Sequence, residues 1–158
     1  MKKIFLRHDP KVPFTKEGHE KLLAEKAKLA AERPEAVMSL AKSRELGDLS
    51  ENGYYKAARA KLSALDANIR RVERLVKAAV IVNTTGADRV EIGTTVIIGN
   101  EVGKQTISIV GSYESDPMHH TISHISPIGK ALMGKKVGDT VEVIAPAGVK
   151  IFTIESIT

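Results

Sequence analysis

The chain contains no cysteine and no tryptophan, and its aromatic complement stops at three Phe and three Tyr. The first absence excludes disulfides and thiolate metal sites and fits a reducing, cytoplasmic setting. The shortage of aromatics leaves too few rings for the stacked-base platforms of single-strand-binding proteins. Long apolar runs are missing too: the longest is Ala78 to Val82, against the roughly 20 residues needed to cross a bilayer. The N-terminal MKKIFLRHDP starts with charge, but no apolar core or small-residue cleavage site follows. No membrane partner is expected. Nucleophile and phosphate motifs are equally scarce. There is no Walker A stretch, no G-x-G-x-x-G and no Ser in a G-x-S-x-G turn, so nucleotide cradling and acyl transfer have no visible carrier.

What is present is charge, unevenly divided. The chain has 158 residues, 42% of them hydrophobic, and a formal net charge of +5. Residues 1–77 carry 18 Lys and Arg against 11 Asp and Glu, whereas residues 78–158 carry 6 against 8. The basic half is the one suited to phosphate or an acidic surface.

The same half reads as helix. From Thr15 to Lys77 Ala, Leu, Glu, Lys and Arg dominate, with one proline and few β-branched residues. Leu62, Leu65, Ile69, Val72 and Val76 alternate spacings of 3 and 4, the pattern of a coiled-coil seam. Leu22, Leu29 and Ala36 recur every seven residues, as do Leu23, Ala30 and Val37, with Leu40 continuing the face. Two such helices joined by a short loop bury their seams by folding back antiparallel. Pro34 predicts a kink or a fresh helical start. Gly47 can end the first helix and Asp48 or Ser50 can cap the second, which puts the hairpin tip at Gly47 to Asn52.

Beyond Lys77 the pattern changes to short β-branched runs: Val80–Val82, Thr94–Ile98, Thr106–Val110, Thr121–Ile125, Thr140–Ile144 and Lys150–Ile157, separated by Gly, Asn, Asp and Pro. Asn83 to Arg89 serves as linker. Ser126 to Gly134 has Ser at a cap, Pro at the first position and Gly past the end, the marks of one short helix. The expected fold class is α+β: a helical hairpin over residues 1–82, then a small antiparallel β domain with one short helix over residues 83–158.

Two carboxylates, Asp48 and Glu51, stand three positions apart in LGDLSENGYY (residues 46–55). A capping box explains that spacing by itself. Yet Leu46 and Leu49 flank the acids where the hairpin's own seam cannot cover them, and Lys42, Arg44, Lys56 and Arg59 form a basic collar around them. Such an end suits docking into a phosphate-filled cavity, the collar meeting phosphate and the acids a cation. Two carboxylates make an incomplete magnesium site, so no metal is expected to be held stably by this chain alone. The histidines offer no alternative: His8 and His19 are isolated, and His119, His120 and His124 fall in a loop and a strand. If the chain takes part in chemistry, it lends carboxylates to another molecule's active site. A free-standing DNA-binding protein would also be basic, but no base-reading motif is present.

Several stretches taken together resemble a known family. They are T-x-x-G-x-x-x-L (Thr15, Gly18, Leu22), ERPE (Glu32 to Glu35), R-x-x-GDLSEN-x-x-Y (Arg44 to Tyr55), AAR (Ala57 to Arg59), IVG (Ile109 to Gly111) and ISPIGKALMGKKVGD (Ile125 to Asp139). The chain resembles the bacterial transcript-cleavage factors GreA and GreB from about Thr15 onward; residues 1–14 carry no matching motif. ERPE and KKVGD lean towards GreB and other stretches towards GreA. The resemblance implies a coiled coil that enters the secondary channel of RNA polymerase and an FKBP-like domain that grips the channel rim. It implies that Asp48 and Glu51 are the tip acids, helping to hold a weakly bound Mg²⁺ and a water beside the polymerase's own carboxylates at backtracked RNA. Arg44 and Arg59 would then face the RNA or the channel wall, and Ser126 and Pro127 would dock on polymerase. The implied protein is a monomeric accessory factor with no cofactor of its own. The alternatives are a channel-binding inhibitor of polymerase and, from the implied domain, a coiled-coil chaperone or prolyl isomerase.

Overall fold

The computed structural model describes residues 11–45, 53–84, 88–145 and 148–158. Two compact units emerge, and they do not follow the linear halves of the chain. Glu20–Ala78 forms one, while the described residues up to His19 join Ala79–Thr158 in the other.

The helical unit consists of α1 (Lys16–Arg44) and α2 (Gly53–Ala78). Thr15 caps α1, its Oγ1 accepting the Gly18 N–H at 3.0 Å. Glu17 in the first turn and Lys42 and Arg44 in the last complement the helix dipole. Arg33 Nε lies 2.8 Å from Asp66 Oδ1, and Arg71 Nη2 lies 2.8 Å from Glu25 Oε1. The pairing climbs one helix as it descends the other, so the arms are antiparallel.

On α2 the sequence stripe is the seam: Leu65 and Val72 are buried, and Leu62, Ile69 and Val76 are half-buried. On α1 the two candidate stripes separate. Leu22, Ala36 and Ser43 are buried with Leu29 and Leu40 half-buried, while Leu23, Ala30 and Val37 are exposed. No new helix starts at Pro34, since α1 runs through it. Pro34 and Ala30 are both exposed, and packing of the seam on either side of the proline offsets the cost of the missing backbone bond. The expected end of α1 at Gly47, the caps Asp48 and Ser50, and the tip itself lie outside the described residues.

The other unit holds a two-stranded pair, β1 (Val12–Phe14) with β2 (Ala79–Ile81), and a five-stranded sheet. Its strands are β3 (Thr95–Asn100), β4 (Gly103–Val110), β5 (Thr121–Ser123), β6 (Thr140–Ala145) and β7 (Gly148–Ile157), in the order β5-β4-β3-β7-β6. The pairings of β3 with β4 and β7, and of β6 with β7, are antiparallel as expected, while β1 with β2 and β4 with β5 are parallel. Parallel neighbours need a crossover connection. For β1 and β2 the whole helical hairpin is that crossover. Strand β1 lies in the segment that carried no motif, and β5 stops at Ser123, short of Ile125.

One face of the sheet forms the core. Val96 and Ile98 of β3, Ile107 and Ile109 of β4, Val141 of β6 and Ile154 of β7 are buried there, following the two-residue period of strands. The short helix α3 (Pro127–Leu132) covers that face with Leu132, and Ile122, Ile128 and Met133 pack around it. Gly129 allows this approach, because a Cβ there would collide with the Ser123 carbonyl oxygen of β5.

A single carboxylate ties the root of α1 to this unit. Glu114 accepts the Thr15 N–H at 3.1 Å, the Gly111 N–H at 2.8 Å and the Thr15 hydroxyl. Gly18 leaves room for it, since a Cβ at that position would overlap the Glu114 carboxylate. Alongside, the Phe14 and Tyr113 rings stack at 6.4 Å between centroids.

Candidate functional site

The sequence candidates fall in two places, one in each unit. In the helical unit, Lys42 and Arg44 occupy the last turn of α1, and Lys56 and Arg59 the beginning of α2; all four are exposed. The Arg44 guanidinium sits over the Tyr55 ring, 5.9 Å from its centroid, a cation–π contact that brings the end of α1 against the start of α2. The connection between those ends, residues 46–52, carries Asp48 and Glu51 and lies outside the described residues. No acidic residue stands in the first turn of α2. Lys56 therefore faces the positive end of the helix dipole with no nearby carboxylate from its own turn, an arrangement that costs stability and favours an anion.

Between the same helix ends runs an open groove of about 520 Å³. Met38, Lys42 and Ser43 of α1 and Tyr54, Ala57 and Lys61 of α2 are among the residues that line it. Tyr54 is 78% exposed and Met38 55%. Sequence reasoning missed Tyr54 and Lys61. The available signal was the Tyr54-Tyr55 pair: neighbours on a helix point about 100° apart, so only one of the two can face the partner arm.

In the β unit, Ser126 is the N-cap of α3, its side-chain oxygen accepting the Gly129 N–H at 3.0 Å, and Pro127 holds the first helical position. Ser126 is half-buried, and Pro127 is exposed beside Ile125, itself 53% exposed. This gives Ser126 a capping role that stands without any partner. Nearby, Asp116 caps the turn Pro117–His119. Its carboxyl is held below the ordinary carboxylate value first by its hydrogen bond with His119, whose Nδ1 lies 2.7 Å away. His120 adopts a left-handed conformation, and His124 Nδ1 lies 3.2 Å from the Val110 carbonyl. The histidines are thus engaged in loop geometry. Among the described residues no three His, Asp or Glu side chains are grouped to hold a metal, and no helix is long and apolar enough to cross a membrane.

Fold and site define a two-unit protein: a helical hairpin that concentrates basic side chains around an acidic connection, and a β unit presenting a capped short helix. Comparison with known proteins makes the assignment specific. A family model described as "Transcription elongation factor, N-terminal" matches residues 12–81, and "Transcription elongation factor, GreA/GreB, C-term" matches residues 84–158. The chain is 39% identical over 149 residues to transcription elongation factor GreA of Rhodospirillum rubrum, covering 91% of this chain and 95% of that protein. It is 43% identical over 141 residues to GreA of Maridesulfovibrio salexigens, covering 87% and 88%. Among solved structures it is similar to GreA factor homolog 1 (Gfh1) of Thermus thermophilus, at 26% identity and a TM-score of 0.45, over 94% of this chain and 99% of that one. The chain belongs to the GreA/GreB family of transcription elongation factors.

Proposed function

We propose that this chain stimulates the Mg²⁺-dependent cleavage of backtracked RNA by RNA polymerase, acting as an accessory factor while polymerase supplies the remaining catalytic groups. The observation that carries this reading is the placement of the basic residues. Family membership directs attention to the hairpin, and Lys42, Arg44, Lys56 and Arg59 gather where α1 and α2 meet, at the two ends of the connection bearing Asp48 and Glu51.

The donor chemistry fits a shared ion. Mg²⁺ prefers about six oxygens and takes only one or two carboxylates from most proteins, which is what Asp48 and Glu51 offer. Asp48 and Glu51 would hold the ion only together with oxygens from polymerase, and the ion would supply water activation and stabilisation of the leaving oxygen. The chain's own groups do the rest. The two acids orient the attacking water, and Lys42, Arg44, Lys56 and Arg59 draw in the phosphates of the extruded RNA by charge. Ser126 and Pro127, at the start of α3, dock on polymerase, with exposed Ile125 as an apolar neighbour. On this reading the factor acts as a monomer in the cytoplasm, reaching the RNA through the secondary channel.

The test uses a halted polymerase complex carrying end-labelled RNA. Wild-type protein should shorten the RNA in the presence of Mg²⁺. Asp48→Asn and Glu51→Gln should still bind polymerase yet lower the cleavage rate by at least about 100-fold, the order expected for groups that position or activate a nucleophile. Undiminished cleavage by those variants would remove the assignment.

A further inference from the structure

Two of the stretches that carry the family resemblance, T-x-x-G (Thr15, Gly18) and IVG (Ile109 to Gly111), play no part in the tip chemistry. In the structure they meet at one side chain, Glu114. We propose that Glu114 is a positioning residue for transcript cleavage: by fixing Thr15 at the root of α1, it aims the far end of the hairpin, and with it Asp48 and Glu51, at the cation they share with polymerase. The proposal deepens the functional reading above and rests on it for the reaction.

The root leaves Thr15 little freedom. This one residue separates β1 from α1, and none separates α2 from β2. The Thr15 N–H donates to both Glu114 oxygens, at 3.2 and 3.1 Å, and the Thr15 hydroxyl donates to Oε1. The hydroxyl oxygen also accepts the Gly18 N–H at 3.0 Å, and the Thr15 carbonyl accepts the His19 N–H at 2.9 Å. Every polar group of the joint is thus engaged. Glu114 is held in turn by the Gly111 N–H at 2.8 Å. Both glycines vacate the space it fills: a Cβ on Gly18 or Gly111 would overlap its carboxylate, and one on Gly111 would also meet the Pro13 carbonyl oxygen of β1. From this joint α1 runs unbroken through Lys16 to His19, which belong with the β unit, and on to Arg44 in the helical one.

The length of the lever decides what slack at the root does. Helix α1 has 29 residues, so at 1.5 Å of rise per residue a swing of about 2° at Thr15 moves its far end by about 1.5 Å. Attraction of the collar to phosphate changes little over that distance, because charges are screened over about 8–10 Å. Oxygen ligands of Mg²⁺ do not tolerate it, since they must sit at about 2.0–2.1 Å in near-octahedral geometry. Loosening the root should therefore spare binding and cost rate. A carboxylate that only added stability would change neither quantity in a protein that stays folded.

The test titrates the full-length protein into a halted polymerase complex carrying end-labelled RNA and separates the maximal cleavage rate from the half-saturating concentration. Glu114→Ala, shown by circular dichroism to be folded at the assay temperature, should lower the maximal rate by about 5- to 100-fold, the range for a displacement near 1 Å, with the half-saturating concentration unchanged. Thr15→Ser, which keeps the hydroxyl, should cleave as wild type. A covalent tie supplies the converse. A Cβ on Gly18 would lie 2.6 Å from the Glu114 Cγ, hence within about 4 Å of the Glu114 Cβ, a spacing that a disulfide spans. The chain has no cysteine of its own, so Gly18→Cys combined with Glu114→Cys can form a single bridge, its formation read by thiol titration. The oxidised double variant should recover the maximal rate and lose it again on reduction. A folded Glu114→Ala at the wild-type maximal rate would overturn the proposal, as would a loss expressed only in the half-saturating concentration, or equal rates in the oxidised and reduced double variant. The two readings fail separately: wild-type protein that shortens no transcript sinks the cleavage function, whereas a cleaving wild type matched by Glu114→Ala sinks the positioning role alone.

Discussion

Glu114 is the residue whose role is least visible in sequence and most definite in structure. Its half-buried carboxylate receives donors from Thr15 and Gly111, and hydrogen bonds to a charged group contribute about 1.5–3 kcal/mol. Removing the carboxylate orphans the Thr15 and Gly111 N–H groups together, so Glu114→Ala should lower stability by about 2–3 kcal/mol in chemical denaturation, with Glu114→Gln losing less. A change under 0.5 kcal/mol would show that water replaces the carboxylate without cost. The surface pair Arg33–Asp66 behaves differently. Its Asp66 carboxyl is held below the ordinary value first by the Arg33 hydrogen bond, so its contribution is present above the unfolded carboxylate value and fades as pH falls through the folded one. Both side chains are solvated, and such pairs act on register more than on stability.

At the scale of elements, α1 carries apolar residues on two sides, and the choice between them is settled by its partner. The stripe at Leu22, Leu29 and Ala36 is interrupted in sequence by Lys26 and Arg33, while that at Leu23, Ala30 and Val37 is not. The seam nevertheless follows the first stripe, where Arg33 reaches Asp66 across the pair. Pro34 sits on the exposed side of α1, away from the seam. Replacing Pro34 by Ala should therefore restore one backbone bond with no loss of packing, and it should raise stability by up to about 3 kcal/mol, visible as a higher hairpin melting temperature. A drop would mean that the proline's constraint on the unfolded chain outweighs the restored bond.

The same scale shows why some elements were legible and others were not. Both helices, the strands β3, β4, β6 and β7, and the capped helix α3 follow from periodicity and turn residues, which are local. The parallel pairing of β1 with β2 joins residues 12–14 to 79–81 and leaves no local trace in VPF. The site divides likewise. The acids and the collar are contiguous in sequence, but the groove joins Met38 to Tyr54 and Lys61, and only the register of two antiparallel helices brings those together.

At the scale of the whole molecule, the chain's compact units interleave in sequence: the described residues up to His19 belong with those of Ala79–Thr158, and the hairpin is inserted between them. A linear domain boundary after α2 would predict that Phe14 stabilises the hairpin. The structure instead buries Phe14 to 1% exposure, stacks it on Tyr113 and pairs its strand with β2. Large-to-small changes at buried positions typically cost about 2–5 kcal/mol, enough to move a calorimetric transition by several degrees. Phe14→Ala and Ile154→Ala should therefore lower the same transition of the full-length protein, and Leu65→Ala, in the seam, a different one. If Phe14→Ala tracked Leu65→Ala instead, the first strand would be energetically part of the hairpin, and the interleaved division would describe contacts without describing cooperativity.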